Sequence, residues 1–570
     1  MSSLAAAAAP DLQVDEAVRR RWWPWPRSCS SNTTRRKALL AICAGATVIV
    51  VLFAGGSSPD GMLHSLLFHH LQGFEDRPPF NLTTDHLLDG LLTAEYGYQS
   101  CRSRYEFAGY HKKSSHQPSP YLLAKLRKQE ALQKRCGPGT AAYKKALRRL
   151  ESNAADVEDD DDCRYLVNIS FRFRGLGNRM LAVASAFLYA VLTERVLLIN
   201  ADKGDVPDLF CEPFPGATWL LPRAGRRSPL TKLDDYQGGS KESLGNMLQR
   251  GVAGVSADGN MSWLSPPQPP PYVYLHLAGV YGFHDKLFYC GEHQRLLRGV
   301  PWLFMRADGY LVPGLFLTPP FVGELEAMFP EKDAVFYHLG RYLFLPSNAV
   351  WRAVTSYYSA NLAGVGRLVG IQIRVFQEKK PPQQILDQIL SCVRDEKLLP
   401  ETTTKDNGTS SPYGVLVTSL SSWYYERLKG EYGGRLAGGV HQPSHEGRQR
   451  LRNEAHDVKA LSEMYLLSMC DVLVTSGFST FGYVAQGLGG LQPWVMSRPS
   501  PFEEWTEGQA APEPPCQRAL SVEPCFHSPS SYDCTVRRDV ELDKVTPYIR
   551  RCVDVSWGIK LVNQSRDGQW

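Results

Sequence analysis

The sequence has little net charge and lacks the commonest metal-binding cysteine pattern. A formal net charge of +5 is small for 570 residues. It argues against a dedicated nucleic-acid-binding protein, although it is compatible with local basic pockets for anionic ligands. No C-x2-C pair with a matching partner is present, so that type of zinc site is not predicted. The chain is too long for a single core, and 43% hydrophobic and 21% charged residues are typical of a globular protein. We therefore expect two folded lobes.

Long hydrophobic runs are also scarce, and only Ala38–Gly56 is strongly apolar and free of charge. A helix of this length can cross the roughly 30 Å hydrocarbon core of a bilayer. Arg35, Arg36 and Lys37 directly precede it, and positive charge stays on the cytosolic side. The run thus predicts a type II anchor with the C-terminal body in the lumen. A cleaved signal peptide and a buried core helix are the alternatives, and the first is disfavoured because no small-x-small cleavage site stands out.

Two further features agree with a lumenal body. Five N-glycosylation sequons follow the hydrophobic run, at Asn81, Asn168, Asn260, Asn407 and Asn563. Eleven of the thirteen cysteines also follow it, in a compartment where disulfides persist. We expect disulfides among the late cysteines and leave their pairing open: Cys516, Cys525, Cys534 and Cys552. Cys470 lies in an apolar, helix-like run and is expected to keep its thiol.

Residues 57–160 are polar and basic and are interpreted as a stem, with an amphipathic helix over Tyr121–Gln133. The stem ends in the acidic run Glu158–Asp162, which contains a formal D-x-D. A metal-binding D-x-D usually follows an apolar strand, whereas this one follows a linker-like segment. We interpret it as a solvated charge run, and no metal ligand is assigned.

The folded body begins near Cys163 with a strand, a glycine loop, a helix and a second strand, which is typical of a parallel α/β sheet. The four parts are Arg164–Phe173, Gly175–Arg179, Met180–Leu192 and Arg195–Asn200. A second series follows, with strands at Val369–Phe376, Gly414–Thr418 and Asp471–Thr475 and helices at Asp457–Met469 and Phe481–Leu488. Two α/β lobes with a cleft are predicted, and ligands then bind at the carboxyl ends of the strands.

The glycine loop is the first candidate site. Gly175 and Gly177 allow a ligand to approach the backbone, and the following helix N-terminus offers unpaired N–H groups. Asn178 and Arg179 add polar and bidentate capacity for phosphate. The loop does not match G-x-G-x-x-G, and a tight turn with solvent-facing arginines is the alternative.

Arg374, in the apolar strand IQIRVF, is the second candidate, because a buried arginine is costly unless it is paired. A pyrophosphate in the cleft would be a suitable partner, and a buried ion pair with a carboxylate is the alternative. At other strand ends, hydroxyl groups suit a phosphate or ribose: Ser419, Thr475, Ser476, Ser479 and Thr480. Ser479 or Thr480 can equally serve as an ordinary helix cap.

Asp308 and His338 are the candidate acid–base residues. Asp308 follows an apolar run and precedes Gly309, so it is either an acceptor-side carboxylate or part of an Asp-Gly turn. His338, in HLGR, is either a base at the cleft or a structural histidine.

Together these segments resemble the plant fucosyltransferase family typified by xyloglucan fucosyltransferase. The resemblance runs from about residue 160 to about residue 500, and it is carried by GLGNRMLAVASAFLYAVLTERVLLI, YVYLHLAGVYG, DKLFYC, VPWLFMRADGYLVP, HLGRYLFLPSN, VW, IQIRVF, SCVRDEKLLPE and TSGFSTFGYVAQGLGGLQPWVM.

This resemblance implies a GT-B fold with two Rossmann-like lobes. It also implies inverting transfer of fucose from GDP-fucose, without an obligatory metal or other cofactor, to form an α-1,2 link on a cell-wall glycan such as xyloglucan. Arg374 would bind the pyrophosphate, Asp308 would lie on the acceptor side, and the 475–480 loop would hold the nucleotide. Fucosylation of arabinogalactan-protein glycans and a catalytically silent glycan-binding paralogue are the alternatives.

The chain departs from the family pattern at three places: Gln377, Leu345 and Gly477–Phe478. None of them removes Arg374 or the hydroxyl groups, so activity is expected. The implied organisation is a tail (1–37), an anchor (38–56), a stem (57–160), an acceptor lobe (161–350), a donor lobe (351–515) and a cysteine-rich segment (516–570). Expected partners are GDP-fucose, an oligosaccharide or polysaccharide acceptor, the Golgi membrane and, as a further option, a second copy of the chain, with no nucleic acid.

Overall fold

A computed structural model describes residues 87–93, 95–111, 115–152, 163–171, 173–201, 206–226, 228–279, 281–375, 381–400, 412–497, 510–529 and 546–563. The predicted tail and anchor lie outside these residues. So do the acidic run, Gln377, Cys534 and the sequons at Asn81 and Asn407. Those predictions stay predictions.

Three helices precede the first strand: α1 (Arg102–Tyr110), α2 (Pro120–Cys136) and α3 (Ala141–Ser152). The N-terminal lobe follows, with β1 (Arg164–Ile169), α4 (Leu176–Thr193), β2 (Arg195–Asn200), α5 (Val206–Leu209), α6 (Leu244–Gln249), β3 (Ala253–Val255), β4 (Met261–Trp263), β5 (Tyr272–Leu277), α7 (Phe283–Lys286), α8 (Gly291–Arg298), β6 (Trp302–Ala307), α9 (Val312–Leu315), α10 (Val322–Met328) and α11 (Val335–Leu343).

Helix α12 (Asn348–Asn361) leads into the C-terminal lobe. This lobe contains β7 (Arg367–Ile373), α13 (Gln383–Asp395), β8 (Tyr413–Ser419), α14 (Ser422–Tyr432), β9 (Val440–His441), α15 (Glu454–Ser468), β10 (Val472–Ser476), α16 (Thr480–Gly489), β11 (Trp494–Met496) and β12 (Cys516–Arg518), and the hairpin β13 (Ile549–Arg551) and β14 (Ile559–Leu561) follows. Short 3₁₀ turns lie at Tyr98–Ser100, Pro229–Lys232, Leu287–Tyr289, Pro319–Phe321 and Lys332–Ala334.

Two mainly parallel sheets confirm the mixed α/β architecture. In the N-terminal lobe the strand order is β2-β1-β6-β5, and all neighbours are parallel. In the C-terminal lobe the order is β12-β11-β10-β7-β8-β9, with only β12 antiparallel among the described strands. The strand order reverses between β1 and β6 in the first sheet and between β7 and β10 in the second. Ligands of open α/β sheets bind beyond such reversal points, so the two points locate the candidate site.

One apolar core joins the lobes. It contains side chains of β1, α4, α11, α15 and α16, and it extends to the hairpin β13–β14. Helix α4 is apolar on every side because it packs against its own sheet and also against α16 of the other lobe. It is the one described helix with the length and hydropathy of a membrane span, but 78% of it is buried in the protein. We assign it to the core.

The predicted stem needs a correction over its described part. Helix α2 begins at Pro120, a residue suited to the first helical position. Ser119 is its N-cap, and the Ser119 hydroxyl accepts from the Leu122 N–H. The Gln133 side chain bonds the N–H (3.1 Å) and C=O (2.7 Å) of Leu197 in β2. Because β2 is an edge strand, α2 protects an edge that would otherwise expose unpaired backbone groups. Residues 120–136 thus belong to the folded body.

Disulfides fasten the same region and the end of the chain. Cys101–Cys211 and Cys136–Cys163 attach α1 and α2 to the N-terminal lobe. Cys392–Cys516 joins β12 to α13, and Cys525–Cys552 closes the segment that leads to β14. Cys290 is also disulfide-bonded, whereas Cys470 keeps its thiol, as predicted. The predicted separate segment 516–570 therefore packs on the body over its described residues.

The structure distinguishes the two sequons that it describes in full. Asn168 is only 1% exposed and lies in β1, which pairs with strands on both sides. Asn260 is exposed in the turn between β3 and β4. For the chain made in a secretory pathway, we expect Asn260 to carry a glycan and Asn168 to carry none, because a glycan cannot fit inside a sheet. Glycopeptide mass spectrometry checks both sites, with Asn260→Gln as the control. An occupied Asn168 in folded protein would contradict this prediction.

Candidate active site

Arg374 lies just beyond β7, at the point where the order of the second sheet reverses. The predicted strand ends earlier than expected, at Ile373. The half-buried Arg374 is consequently at a strand end, not within the sheet. Its backbone N–H donates to Ser476 Oγ (2.8 Å), and its guanidinium donates to Gln449 Oε1 (2.7 Å). This arrangement holds the cation at the carboxyl edge of the sheet.

The loop after β10 brings hydroxyl groups and a helix N-terminus to the same edge. Thr475 and Ser476 end the strand, and Ser479 occupies the N-cap position of α16. The Ser479 hydroxyl makes no cap hydrogen bond, and the Thr480 hydroxyl donates to Asn178 Oδ1 (2.8 Å). Neither side chain therefore acts as the ordinary cap considered above. The first turn of α16 keeps N–H groups and partial positive charge suited to an anion.

The segment after β12 supports this loop from behind. Phe478 adopts a left-handed conformation (φ 56°), and its N–H donates to Asp554 Oδ2 (2.9 Å). Asp554 also accepts from the Tyr483 hydroxyl. The His527 ring stacks on Phe478 with centroids 4.4 Å apart, and burial lowers the pKa of His527 to about 4. His527 is therefore neutral at physiological pH, and it packs as an uncharged ring.

Asp308 lies directly beyond β6, at the reversal point of the first sheet. Its carboxylate pairs with the Arg174 guanidinium (Oδ2 to Nη2, 2.9 Å) and accepts from the Gly279 N–H (3.1 Å). With 19% of its side chain exposed, the carboxylate is held in one orientation and still reaches solvent. Such a group can accept hydrogen bonds from a hydroxyl of a bound ligand.

The glycine loop contacts the other lobe, and its predicted contact with a phosphate stays a prediction. Asn178 donates to the Asp308 carbonyl (2.8 Å) and accepts from Thr480, so it connects the two lobes. Arg179 pairs with Asp457 of α15 at 2.6 Å, and both side chains are less than 10% exposed. A Cβ at Gly175 would lie 2.9 Å from Gln449 Nε2, the amide beside Arg374. The loop thus joins the two strand edges and positions the residues around them.

Gly177 provides the closest approach between the lobes. A Cβ there would lie 2.7 Å from the Thr480 carbonyl oxygen and 3.0 Å from the Phe481 nitrogen, both of which are backbone atoms. Gly177→Ala is expected to separate the loop from α16 and to lower the thermal midpoint by several degrees, because overpacking costs about 1–3 kcal/mol.

The matched control is Gly430→Ala, since Gly430 also lies in a helix and a Cβ there meets nothing within 4 Å. Differential scanning fluorimetry compares the two variants. Equal midpoints would show that the close approach has no energetic consequence.

His338 does not join this group. It lies in α11 and is 4% exposed. Burial lowers the pKa of His338 to about 3. A neutral, enclosed imidazole fits a structural role, and we assign it no part in catalysis. Ser419 does end β8 at the second sheet's carboxyl edge, where its hydroxyl accepts from the Ser421 N–H (3.2 Å).

Several residues of the site gave no signal in the sequence. Gln449 lies in an irregular stretch, GRQRLRN, and Asp554 and His527 come from a segment that we expected to be separate. Asp457 begins a helix that we predicted, but its partner Arg179 is 278 positions away in the sequence. Only the folded arrangement brings these residues together.

The arrangement combines an anion-binding edge with a hydroxyl-binding edge. Arg374 and the N-terminus of α16 can stabilise negative charge that develops on a departing phosphate. Asp308 lies in the other lobe, which Asn178 connects to α16, and its carboxylate can orient a neutral polyol. A transfer reaction from a phosphorylated donor to a hydroxyl acceptor needs both edges.

Comparisons with known proteins agree with this chemistry. The profile of a family described as xyloglucan fucosyltransferase matches residues 68–535. A galactoside 2-alpha-L-fucosyltransferase from Arabidopsis thaliana is 48% identical over 497 residues, which cover 85% of this chain and 84% of the relative. The enzyme of the same name from Pisum sativum is 46% identical over 504 residues, covering 86% and 84%. The solved structure of an Arabidopsis thaliana FUT1 mutant in complex with GDP has a TM-score of 0.73 and 47% identity, and the match covers 84% of this chain and 100% of that one.

Proposed function

The chain belongs to the xyloglucan fucosyltransferase family, and we propose that it transfers fucose from GDP-fucose to a galactose of xyloglucan. The product would carry an α-1,2 link, formed with inversion at the fucose anomeric carbon. The observation that carries this proposal is the position of Arg374, Ser476 and the N-terminus of α16 around one strand edge in a member of this family.

The donor would bind with its pyrophosphate against Arg374. As the anomeric C–O bond breaks, negative charge passes to the departing GDP, and a charged hydrogen-bond donor stabilises it more in the transition state than in the ground state. Ser419, Thr475 and Ser479 would bind the nucleotide. Since the guanidinium and the helix N-terminus supply the positive charge, we propose that the reaction needs no metal.

The acceptor would bind against Asp308. The attacking galactose hydroxyl must lose a proton, and a loose, oxocarbenium-like transition state with late proton loss reduces the need for a strong base. Asp308, which Arg174 holds in one orientation, would orient the sugar and receive the proton through a water molecule. Burial lowers the pKa of His338 to about 3, so its imidazole is too weak a base for this role.

We further propose that Ala38–Gly56 anchors the chain in the Golgi membrane and that the body is lumenal. Four disulfides between described cysteines support an oxidising compartment. Protease protection of the body in sealed vesicles tests this topology.

The function is tested by incubating the full chain in detergent with labelled GDP-fucose, GDP-mannose or UDP-galactose. Each donor is offered with xyloglucan that lacks fucose or with an arabinogalactan-protein glycan. We expect turnover of GDP-fucose with xyloglucan, unchanged by a chelator. Transfer only to the arabinogalactan glycan would reassign the acceptor, and no turnover of GDP-fucose would contradict the proposal.

A further inference from the structure

Three exposed aromatic side chains lie on segments that are connected to Asp308 by the chain or by hydrogen bonds. Large exposed apolar side chains are few among the described residues: Tyr121, Phe173, Val255, Leu264, Phe283, Leu451 and Trp557. Three of the four aromatic ones are the side chains on these segments: Phe173 (65% exposed), Phe283 (52%) and Trp557 (41%). We call these three the aromatic rim. Exposed apolar groups that gather at one place mark a binding surface more often than scattered ones do.

Two members of the aromatic rim are connected to Asp308 through the backbone. Phe173 directly precedes Arg174, whose guanidinium pairs with the carboxylate. Gly279, whose N–H donates to the same carboxylate, is four residues before Phe283. Four residues span at most about 14 Å of extended chain. Both rings are therefore within a few sugar units of the proposed acceptor group.

Trp557 reaches the same region from the C-terminal segment. Its indole N–H donates to the His527 carbonyl (3.0 Å), and the Tyr281 hydroxyl donates to the Ser528 carbonyl (2.6 Å). The segment that carries Phe283 is thus bonded to the segment that holds Trp557. Tyr281 follows Gly279 by two residues, and the Gly279 N–H donates to the Asp308 carboxylate.

We propose that the aromatic rim is a binding subsite for the pyranose backbone of a neutral polysaccharide, and this inference rests on the proposed function. The C–H faces of pyranose rings are apolar and slightly positive, and they stack on the negative faces of aromatic rings. Arg452 covers one face of Phe173, with its guanidinium carbon 4.5 Å from the ring centroid, and the ring still stays largely exposed. A subsite beside Asp308 would let the enzyme select a polymer over a free galactoside.

Affinity electrophoresis of the full chain in detergent tests the subsite without relying on catalysis. The gels contain xyloglucan that lacks fucose, and the variants are Phe173→Ala, Phe283→Ala and Trp557→Ala. We expect each variant to weaken retardation by about twofold to tenfold, the effect of losing a contact of about 0.5–1.5 kcal/mol. Phe173→Tyr keeps an aromatic ring and should bind the polymer as the wild type does. Tyr121→Ala is the matched control. Tyr121 lies on α2, is 39% exposed, and its hydroxyl donates to Glu324 of α10.

Parallel kinetics separate this inference from the proposed function. The variants should raise the KM for xyloglucan and leave the KM for methyl galactoside and for GDP-fucose unchanged, which also shows that they fold. If the wild type transfers fucose and the variants bind the polymer as tightly as it does, the subsite is wrong. If the wild type binds the polymer through the rim but transfers no fucose, the subsite stands and the proposed function fails.

Discussion

Replacing Arg374 with alanine is expected to lower kcat/KM for GDP-fucose by about 100-fold to 1000-fold, the usual effect of removing one preorganised donor to a developing negative charge. The side chain is only half-buried, and its backbone bond to Ser476 survives the change. The loss should therefore appear in catalysis and not in folding. Steady-state kinetics and a thermal melt of the same preparation measure the two effects separately.

Arg367→Ala is the matched control for this variant. Arg367 begins the same strand, β7, at its opposite end, where it is exposed and its guanidinium carbon lies 5.7 Å from the Tyr413 ring centroid. It should keep wild-type kinetics. Arg374→Lys should be intermediate, because a lysine keeps the charge but loses the bidentate geometry. Equal activity of Arg374→Ala and Arg367→Ala would remove Arg374 from the proposed mechanism.

Gln449→Ala tests whether the position of the Arg374 guanidinium matters separately from its charge. Gln449 accepts from the Arg374 guanidinium and carries no charge of its own. Its loss should raise the KM for GDP-fucose more than it lowers kcat, since the charge remains available once the donor is bound. A large fall in kcat would instead indicate that Gln449 contacts the reacting groups.

The repeating units of the fold could be predicted from the sequence, because strands β1, β2, β7 and β8 are almost entirely buried and read as mostly apolar runs. The predicted strand Arg195–Asn200 matches β2, and the strand at Gly414–Thr418 is β8 with one more residue at each end. The helix after the glycine loop starts earlier than predicted, at Leu176, because Gly177, Asn178 and Arg179 form its first turn. The hydrophobic periodicity and the apolar runs thus located the helices and strands, but they located the ends of these elements less accurately.

The contribution of α2 could not be predicted in the same way. The helix is rich in polar and charged residues, and two of the polar ones, Gln129 and Gln133, face the sheet edge and bond the backbone of β2. A polar residue that replaces a strand partner is indistinguishable, in sequence, from a polar residue in solvent. The candidate site was limited similarly. Asp308 and Arg374 follow apolar strands and could be predicted, whereas Gln449 and Asp554 reach the site from irregular segments.

The second large effect is expected at the pair that joins the lobes. Arg179→Ala should destabilise the protein by about 3–5 kcal/mol, since removing one partner leaves the buried Asp457 carboxylate without its guanidinium. The thermal midpoint should fall by several degrees, and kcat should fall with it, because Arg374 and Asp308 belong to different lobes and must keep their relative positions. Circular dichroism melts and fucose transfer assays measure these changes.

An exposed pair in the same protein provides the comparison. Arg435 and Glu431 are 3.2 Å apart on α14 and the residues that follow it, and both side chains are nearly half exposed. Arg435→Ala should cost at most about 0.5 kcal/mol, because water screens such pairs. If Arg179→Ala and Arg435→Ala have the same thermal midpoint, the interlobe pair has no special role in stability.

The double variant Arg179→Met/Asp457→Leu decides why the interlobe pair matters. If the cost of Arg179→Ala arises from an uncompensated buried charge, replacing both charges with apolar side chains of similar size should recover most of the thermal midpoint. Activity need not recover with it. Asn178 and Gly177 belong to the same turn of α4, and their contacts with Thr480 depend on the angle between the helices. A variant that is stable but slow would show that the ion pair fixes the geometry of the two strand edges, whereas recovery of both properties would reduce its role to stability alone.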